Sequence, residues 1–243
     1  MSINTNRFGI VMEEAGNLTD RNKDVSIEFD EISILLLKEK ALWIKQLNTL
    51  LIADLHFGKA AHFRKSGIPI PEPIHNADLL QLKYLHEKFQ PSHTYFLGDL
   101  FHSEWNDSWE NLNQFLVQFK TTEFHLVKGN HDVLTPKAYE QSVLRIHKEP
   151  LMLGSFALSH EPMEVVPDGS LNICGHIHPG IRLLGKARQS VRIPCFLLSD
   201  SRLLLPAFGN FTGLALVRPK GTDKVWAITS EKIIPVLSGI SIG

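Results

Sequence analysis

Two cysteines in 243 residues, Cys174 and Cys195, are too few for the disulfide framework of a small secreted scaffold. Both fall in apolar runs, where free buried thiols of a reducing compartment are expected. No stretch reaches the roughly 18 uncharged apolar residues of a membrane-spanning helix. Residues Met1 to Gly9 lack the apolar stretch of a signal peptide, so the chain is expected to be cytoplasmic and to have no membrane partner. Net charge is scarce too: 25 Lys+Arg against 26 Asp+Glu leave −1. That argues against binding nucleic acid by bulk charge, although a local basic groove stays open. There is no low-complexity tract, no convincing internal repeat and no obvious linker. The expectation is a single domain over residues 1–243, with residues 1–25 a polar segment, loosely structured or an edge element.

What is abundant is a recurring pattern, an apolar run that stops at a short polar cluster. Thr49 to Ala53 precedes Asp54-Leu55-His56, and Tyr95 to Leu97 precedes Gly98-Asp99-Leu100-Phe101-His102. Phe124 to Val127 leads into Gly129-Asn130-His131-Asp132. Ala157-Leu158 precedes Ser159-His160-Glu161, and Leu171 to Cys174 precedes Gly175-His176-Ile177-His178. Strands that end where Asp, Asn and His begin are where a parallel or mixed sheet places its chemistry.

Between these clusters the pattern alternates. Strands are predicted over 32–37, 41–44 (after the charged turn Lys38-Glu39-Lys40), 50–53, 94–97 and 124–127. Leu79, Leu82, Leu85 and Phe89 predict a helix over 75–89, and Trp109 to Phe119 predicts another. Thr135-Pro136 is a helix start. The prolines of the 58–73 stretch predict a long ordered loop. Beyond Pro150, short runs at 151–153, 156–158, 171–174, 191–198, 203–205, 214–217 and 225–228 predict a second sheet of locally connected strands. Strand–helix alternation followed by short strands indicates an α/β protein.

The polar clusters make one chemical set. Asp54 and His56, two residues apart in an extended segment, point to one side, and His176 and His178 repeat the spacing. Asp99 can present both oxygens, Asn130 offers an amide oxygen, and His160 adds an imidazole. This mixture suits manganese, iron or zinc better than magnesium or calcium. It holds too many ligands for one tetrahedral zinc, whereas two divalent ions about 3.5–4 Å apart would use them all. Such a pair is a general device for phosphate-ester hydrolysis.

In kind, spacing and order, these clusters resemble the motifs of the calcineurin-like metallophosphoesterase superfamily. The resemblance implies a four-layer α-β-β-α sandwich with two mixed sheets. It also implies that Asp54, His56, Asp99 and His178 hold one metal, and that Asp99, Asn130, His160 and His176 hold the other. His131 would contact the substrate phosphate and leaving oxygen, and Asp132 would orient His131. The second motif looks like that of the SbcD-type nucleases, which implies a catalytic role for His102. Residues 52–59, the 64–71 loop and Leu205 to Gly213 look like the bacterial phosphoesterases encoded beside an ATP-dependent DNA ligase. That implies DNA or an oligonucleotide as substrate, and a DNA ligase, a helicase and an exonuclease-like protein as partners. Ser159 departs from the glycine many superfamily members carry before the lone histidine.

The remaining residues are read more plainly. Lys59, Arg64 and Lys65, and later Arg182, Lys186, Arg188 and Arg192, can rim a cleft and meet phosphates or form a solvated face. Trp105 is a candidate for stacking on a base, whereas Trp109 belongs to a helical core pattern. His62, His75, His86, His93, His125 and His147 have no paired ligand nearby in sequence and read as structural or surface residues. Residues 208–213 read as a tight turn with two aromatic plugs. The expected function is metal-dependent phosphodiester hydrolysis, with manganese the first choice of ion. Two alternatives remain: a small-molecule or cyclic-nucleotide phosphodiesterase, and a non-catalytic metal-containing adaptor of a ligase or helicase.

Overall fold

The computed structural model describes residues 24–59, 77–101, 105–184 and 189–236 in full, and the backbone alone at 8–9 and 73–76. The first sheet runs in sequence order. Its strands are β1 (Phe8–Gly9), β2 (Val25–Phe29), β3 (Ile32–Leu37), β4 (Ala41–Ile44), β5 (Thr49–Ile52), β6 (His93–Leu97), β7 (Glu123–Val127) and β8 (Leu144–His147). β1 to β5 pair antiparallel. Asp30 and Glu31 turn β2 into β3 with φ of 51° and 63°, the left-handed pair that a two-residue hairpin matched to strand twist requires. From β5 onward the pairing is parallel, because helices make the crossovers: α1 (Pro73–Phe89), α2 (Asp107–Leu116) and the short α3 (Pro136–Glu140). Asn106 caps α2 by accepting from the Ser108 amide, and Thr135 caps α3 with Pro136 in its first turn.

The second sheet follows β8. Its described strands are β9 (Leu151–Leu153), β10 (Phe156–Leu158), β11 (Leu171–Cys174), β12 (Pro179–Leu184), β13 (Ser190–Ser199), β14 (Arg202–Leu204), β15 (Ala215–Leu216), β16 (Lys224–Ile228) and β17 (Ile233–Val236). The order is β15-β12-β13-β14-β11-β10-β9, with β16 on β13 and β17 beyond it. β11 is parallel to both neighbours, β10 and β14, whereas most other pairs are antiparallel. Two mixed sheets flanked by helices make an α/β sandwich.

Alternation along the strands separates two cores. Leu51, Ala53, Tyr95, Leu97 and Val127 of the first sheet meet Phe156, Leu158, Ile173, Phe196 and Trp226 of the second. Leu50, Ile52, Phe96 and Leu126 face outward and are covered by Leu82, Leu85, Trp109, Leu112, Leu116 and Tyr139 of the helices. Cys174 and Cys195 are free and buried, as their apolar runs suggest.

Four described strands escape the sequence reading. β2 borders the polar N-terminal segment, where the alternation is short. β8 is an exposed edge reading Leu-Arg-Ile-His. β12 starts directly after His178, so the last polar cluster hides it, and β17 contains a proline. Residues 60–72 of the expected loop lie outside the described residues. Among the described residues no helix is long and apolar enough to cross a membrane.

Candidate metal centre

Each sheet delivers part of the centre from adjacent parallel strands. Asp54 follows β5, Asp99 follows β6, and Asn130 and His131 follow β7; His160 follows β10, and His176 and His178 follow β11. Parallel neighbours end on the same side, so the two sets of carboxyl ends meet along one edge of the sandwich. Local backbone is strained to bring them in. Asp54, His56, Asp99, His176 and His178 all have left-handed φ, between 48° and 67°, each costing about 1–3 kcal/mol that surrounding structure must overcome. Such strain gathers at functional sites. Gly98, with φ of 75°, must be glycine for a second reason: a Cβ there would overlap the His160 ring.

The donor atoms converge. His56 Nε2 and His178 Nε2 lie 3.3 Å apart, and His178 Nε2 is 3.3 Å from Asp54 Oδ1. His160 Nε2 is 3.0 Å from both Asn130 Oδ1 and His176 Nδ1. Asp99 stands between these groups, with Oδ2 3.6 Å from His56 Nε2 and Oδ1 3.5 Å from His160 Nε2. Asp54, His56, Asp99 and His160 are buried, His176 and His178 half-buried, and Asn130 exposed, so the donor set runs from the interior out to the surface. His160 donates its Nδ1–H to the Leu97 carbonyl at 3.1 Å. That bond fixes the tautomer that leaves the Nε2 lone pair facing inward.

A cation fits this arrangement. Asp54 is fully buried; its Oδ2 accepts the His176 backbone N–H at 2.9 Å, while Oδ1 accepts no hydrogen bond. A buried carboxylate oxygen left without a donor is expensive unless a positive charge faces it. Asp54, His56 and His178 form one group able to hold a divalent ion, and Asp54, Asp99 and His160 form another.

Neighbouring residues hold the donors in place. Asp99 Oδ1 accepts the His131 backbone N–H at 2.9 Å, and the His131 ring lies 5.7 Å from that of His56. Both Asp132 oxygens accept backbone amides, from Phe101 at 3.1 Å and Gly129 at 2.9 Å, so Asp132 braces the turn that carries His131. Burial pushes the Asp132 carboxyl up to about 6, against the lowering effect of those two amides. Ser159 also has a structural use: its hydroxyl donates to the Glu161 carbonyl at 2.6 Å and accepts from Asn172 Nδ2 at 2.8 Å.

The 205–213 segment departs from a tight turn: it spans from β14 to β15 and passes beneath the first motif. Phe208 N–H donates to the Ala53 carbonyl at 2.9 Å and Gly209 N–H to the Asp54 carbonyl at 3.2 Å. A Cβ at Gly209 would overlap the Leu55 carbonyl oxygen. Asn210 donates through its backbone and side chain to Asp78 Oδ1, at 3.0 and 2.7 Å. Burial raises Asp78 to about 6 and lowers nearby Lys40 to about 8. Phe208 is a buried plug and Phe211 only half-buried. Sequence reasoning singled out this segment without a reason for it; the reason is a pairing between residues more than 150 positions apart.

Of the basic residues, Lys59 follows the first motif with its amide on the His56 carbonyl. Arg182 is half-buried on β12, opposite Arg192 on β13. Arg64, Lys65, Arg188 and His102 lie outside the described residues. Trp105 is 60% exposed, whereas Trp109 is buried against Phe101 and Tyr139.

Carboxylates, imidazoles and an amide arranged around two adjacent cation positions suit hydrolysis of phosphate esters, and the chain is a metallophosphoesterase. The model of the calcineurin-like phosphoesterase family matches residues 47–180, more than half of the chain, and the chain belongs to that family. Among solved structures it is similar to the Pseudomonas putida nuclease MPE, at 25% identity and a TM-score of 0.70, covering 88% of this chain and 100% of that one. It also matches the phosphoesterase Yfce from E. coli, at 14% identity and a TM-score of 0.38, over 80% of this chain and 95% of that one. A search of curated proteins found no match.

Proposed function

We propose that this protein hydrolyses phosphodiester bonds of DNA or an oligonucleotide at a dinuclear centre, with manganese as the preferred ion. The observation that carries this reading is the convergence of seven side chains from both sheets into one donor set, among them buried Asp54 with an oxygen that accepts no hydrogen bond. Asp54, His56, Asp99 and His178 would hold one ion, and Asp99, Asn130, His160 and His176 the other. Bound there, two divalent ions supply an acidified water and neutralise phosphoryl oxygens for an in-line displacement.

The chain's own groups do the rest. Asp99 is shared between the two halves and also fixes the His131 backbone. His131, half-buried beside His56, is assigned to meet a phosphoryl oxygen and to protonate the departing one. Asp132 keeps the turn rigid, and His102 is assigned to the same side of the reaction. Lys59, Arg64, Lys65, Arg182 and Arg188 are assigned to substrate phosphates, and exposed Trp105 to base stacking.

DNA is favoured over a small molecule because the chain covers the whole of a nuclease of known structure and because the donor set reaches the surface at exposed Asn130. The ligase-associated subgroup, usually called PdeM, is the assignment within the family. It carries with it a cytoplasmic single-domain protein and a DNA ligase, a helicase and an exonuclease-like protein as partners. The test uses metal-stripped protein restored with manganese, iron, zinc or magnesium in turn. It is offered bis-p-nitrophenyl phosphate, single-stranded DNA and nicked duplex. Manganese-dependent cleavage of DNA is expected. Cleavage of the small diester alone would point to a small-molecule enzyme, and no cleavage with any ion would leave an adaptor.

A further inference from the structure

A second cluster of nitrogen and oxygen donors lies at the opposite end of the first sheet. His93 opens β6 and Glu123 opens β7, and the parallel register sets them side by side. His125, two residues along β7, projects from the same face. His93 Nδ1 is 3.2 Å from His125 Nε2 and 3.5 Å from Glu123 Oε2, and His125 Nε2 is 3.8 Å from that same oxygen. Donors bound to a tetrahedral ion at about 2.0–2.1 Å are separated by about 3.3–3.4 Å. The three atoms therefore stand close to three corners of such a shell. The His93–His125 separation is close to that of His56 and His178 in the main centre, 3.3 Å.

The surroundings prepare His125 as a ligand. Its Nδ1 faces His147 Nε2 of β8 at 3.0 Å. An N–H on Nδ1 donated to His147 leaves the Nε2 lone pair turned to His93 and Glu123. Tyr95 stacks on the His125 ring at 4.2 Å and 11° and fixes its plane. His93 and Glu123 are half-buried, so the cluster is within reach of solvent. Arg145 grips the Glu123 carboxylate with two 2.7 Å contacts; it holds the oxygens in place, and its charge weakens cation binding.

We propose that His93, Glu123 and His125 form a separate site for a borderline transition-metal ion such as zinc, which clamps the starts of β6 and β7. Asp99 lies six positions along β6 and its exit from His93, up to about 20 Å at about 3.3 Å per residue. The site stands apart from the catalytic centre and does not depend on the activity assigned there.

Zinc bound per chain, measured by equilibrium dialysis and elemental analysis, tests the proposal. His93→Ala truncates a half-buried side chain at a strand start and should bind one zinc fewer than wild type, with manganese-dependent diester turnover unchanged. In an Asp54→Asn, His178→Ala background, introducing His93→Ala should again remove one equivalent, so the count does not rely on the main centre. Glu123→Gln, which keeps the side-chain shape, should weaken that equivalent by about tenfold or more. Equal zinc in wild type and His93→Ala, in either background, would reduce the cluster to a hydrogen-bonded ladder and overturn the proposal.

Discussion

Replacing Asp54 with asparagine should stabilise the metal-free protein while removing most of its response to metal. The side chain is fully buried, with one oxygen on the His176 amide and the other accepting no hydrogen bond. Asparagine preserves the shape and the first bond, and its amide can donate to His178 Nε2, which lies 3.3 Å from Asp54 Oδ1. The substitution removes an unsatisfied buried acceptor that costs about 1–3 kcal/mol. At about 2–4 °C per kcal/mol for a chain of this size, Asp54→Asn in chelator should melt about 2–12 °C above wild type in chelator. Wild type should gain from manganese about 2.7 kcal/mol for each site at a hundredfold excess over Kd, and the variant should lose most of that gain. Thermal melts of both proteins, each in chelator and in saturating manganese, give the four values needed. If Asp54→Asn melts several degrees below wild type in chelator, the neighbouring imidazoles already neutralise the carboxylate, and the argument for a cation falls.

Other residues give independent checks. His86 donates to the Leu82 carbonyl at 2.8 Å and faces the Thr94 hydroxyl at 3.0 Å, and burial lowers its pKa from 6.5 to about 4. Because the folded value is the lower one, its stabilisation is complete above pH 6.5 and is lost as pH falls toward 4. That amounts to about 2 kcal/mol between pH 7 and 5. Urea unfolding of the chelated protein at both pH values should show a loss smaller by about that amount in His86→Leu, Thr94→Val than in wild type, since buried His125 is shifted as well and remains in both proteins; equal losses would contradict it. Gly209→Ala should weaken manganese binding about tenfold or more by displacing the Asp54 backbone; unchanged affinity by calorimetry would rule out the support assigned to the 205–213 segment. His131→Ala should lower kcat by about 10²–10⁴ with metal content intact, whereas Asn130→Ala should lose turnover and weaken one ion. Full activity in both would remove the mechanism.

The parts of this protein that are legible in sequence are those with local causes. Val127, Leu97 and Ala53 end apolar runs, and the polar residues that follow have no way to remain in a packed interior without partners. Strand ends and donor residues can therefore be named together. Thr135-Pro136 marks a helix start because its cap uses neighbouring residues. β8 and β12 are not legible, since an exposed edge and a strand abutting a ligand motif lack the alternation that identifies a half-buried strand. His93, His125 and His147 look isolated along the chain because their proximity comes from the parallel register of β6, β7 and β8.

The amino-acid sequence alone determined the family, the alternation of strands and helices through the first four motif-bearing runs, and the identity of the polar residues that end those strands. These depend on composition and spacing over a few residues. Only the tertiary structure decided that Asp54 keeps one oxygen without a hydrogen bond, that Asp99 faces both halves of the donor set, and that Gly209 lies against the first motif. Each is a distance between residues remote in the chain, set by how two sheets pack, and no local pattern encodes it.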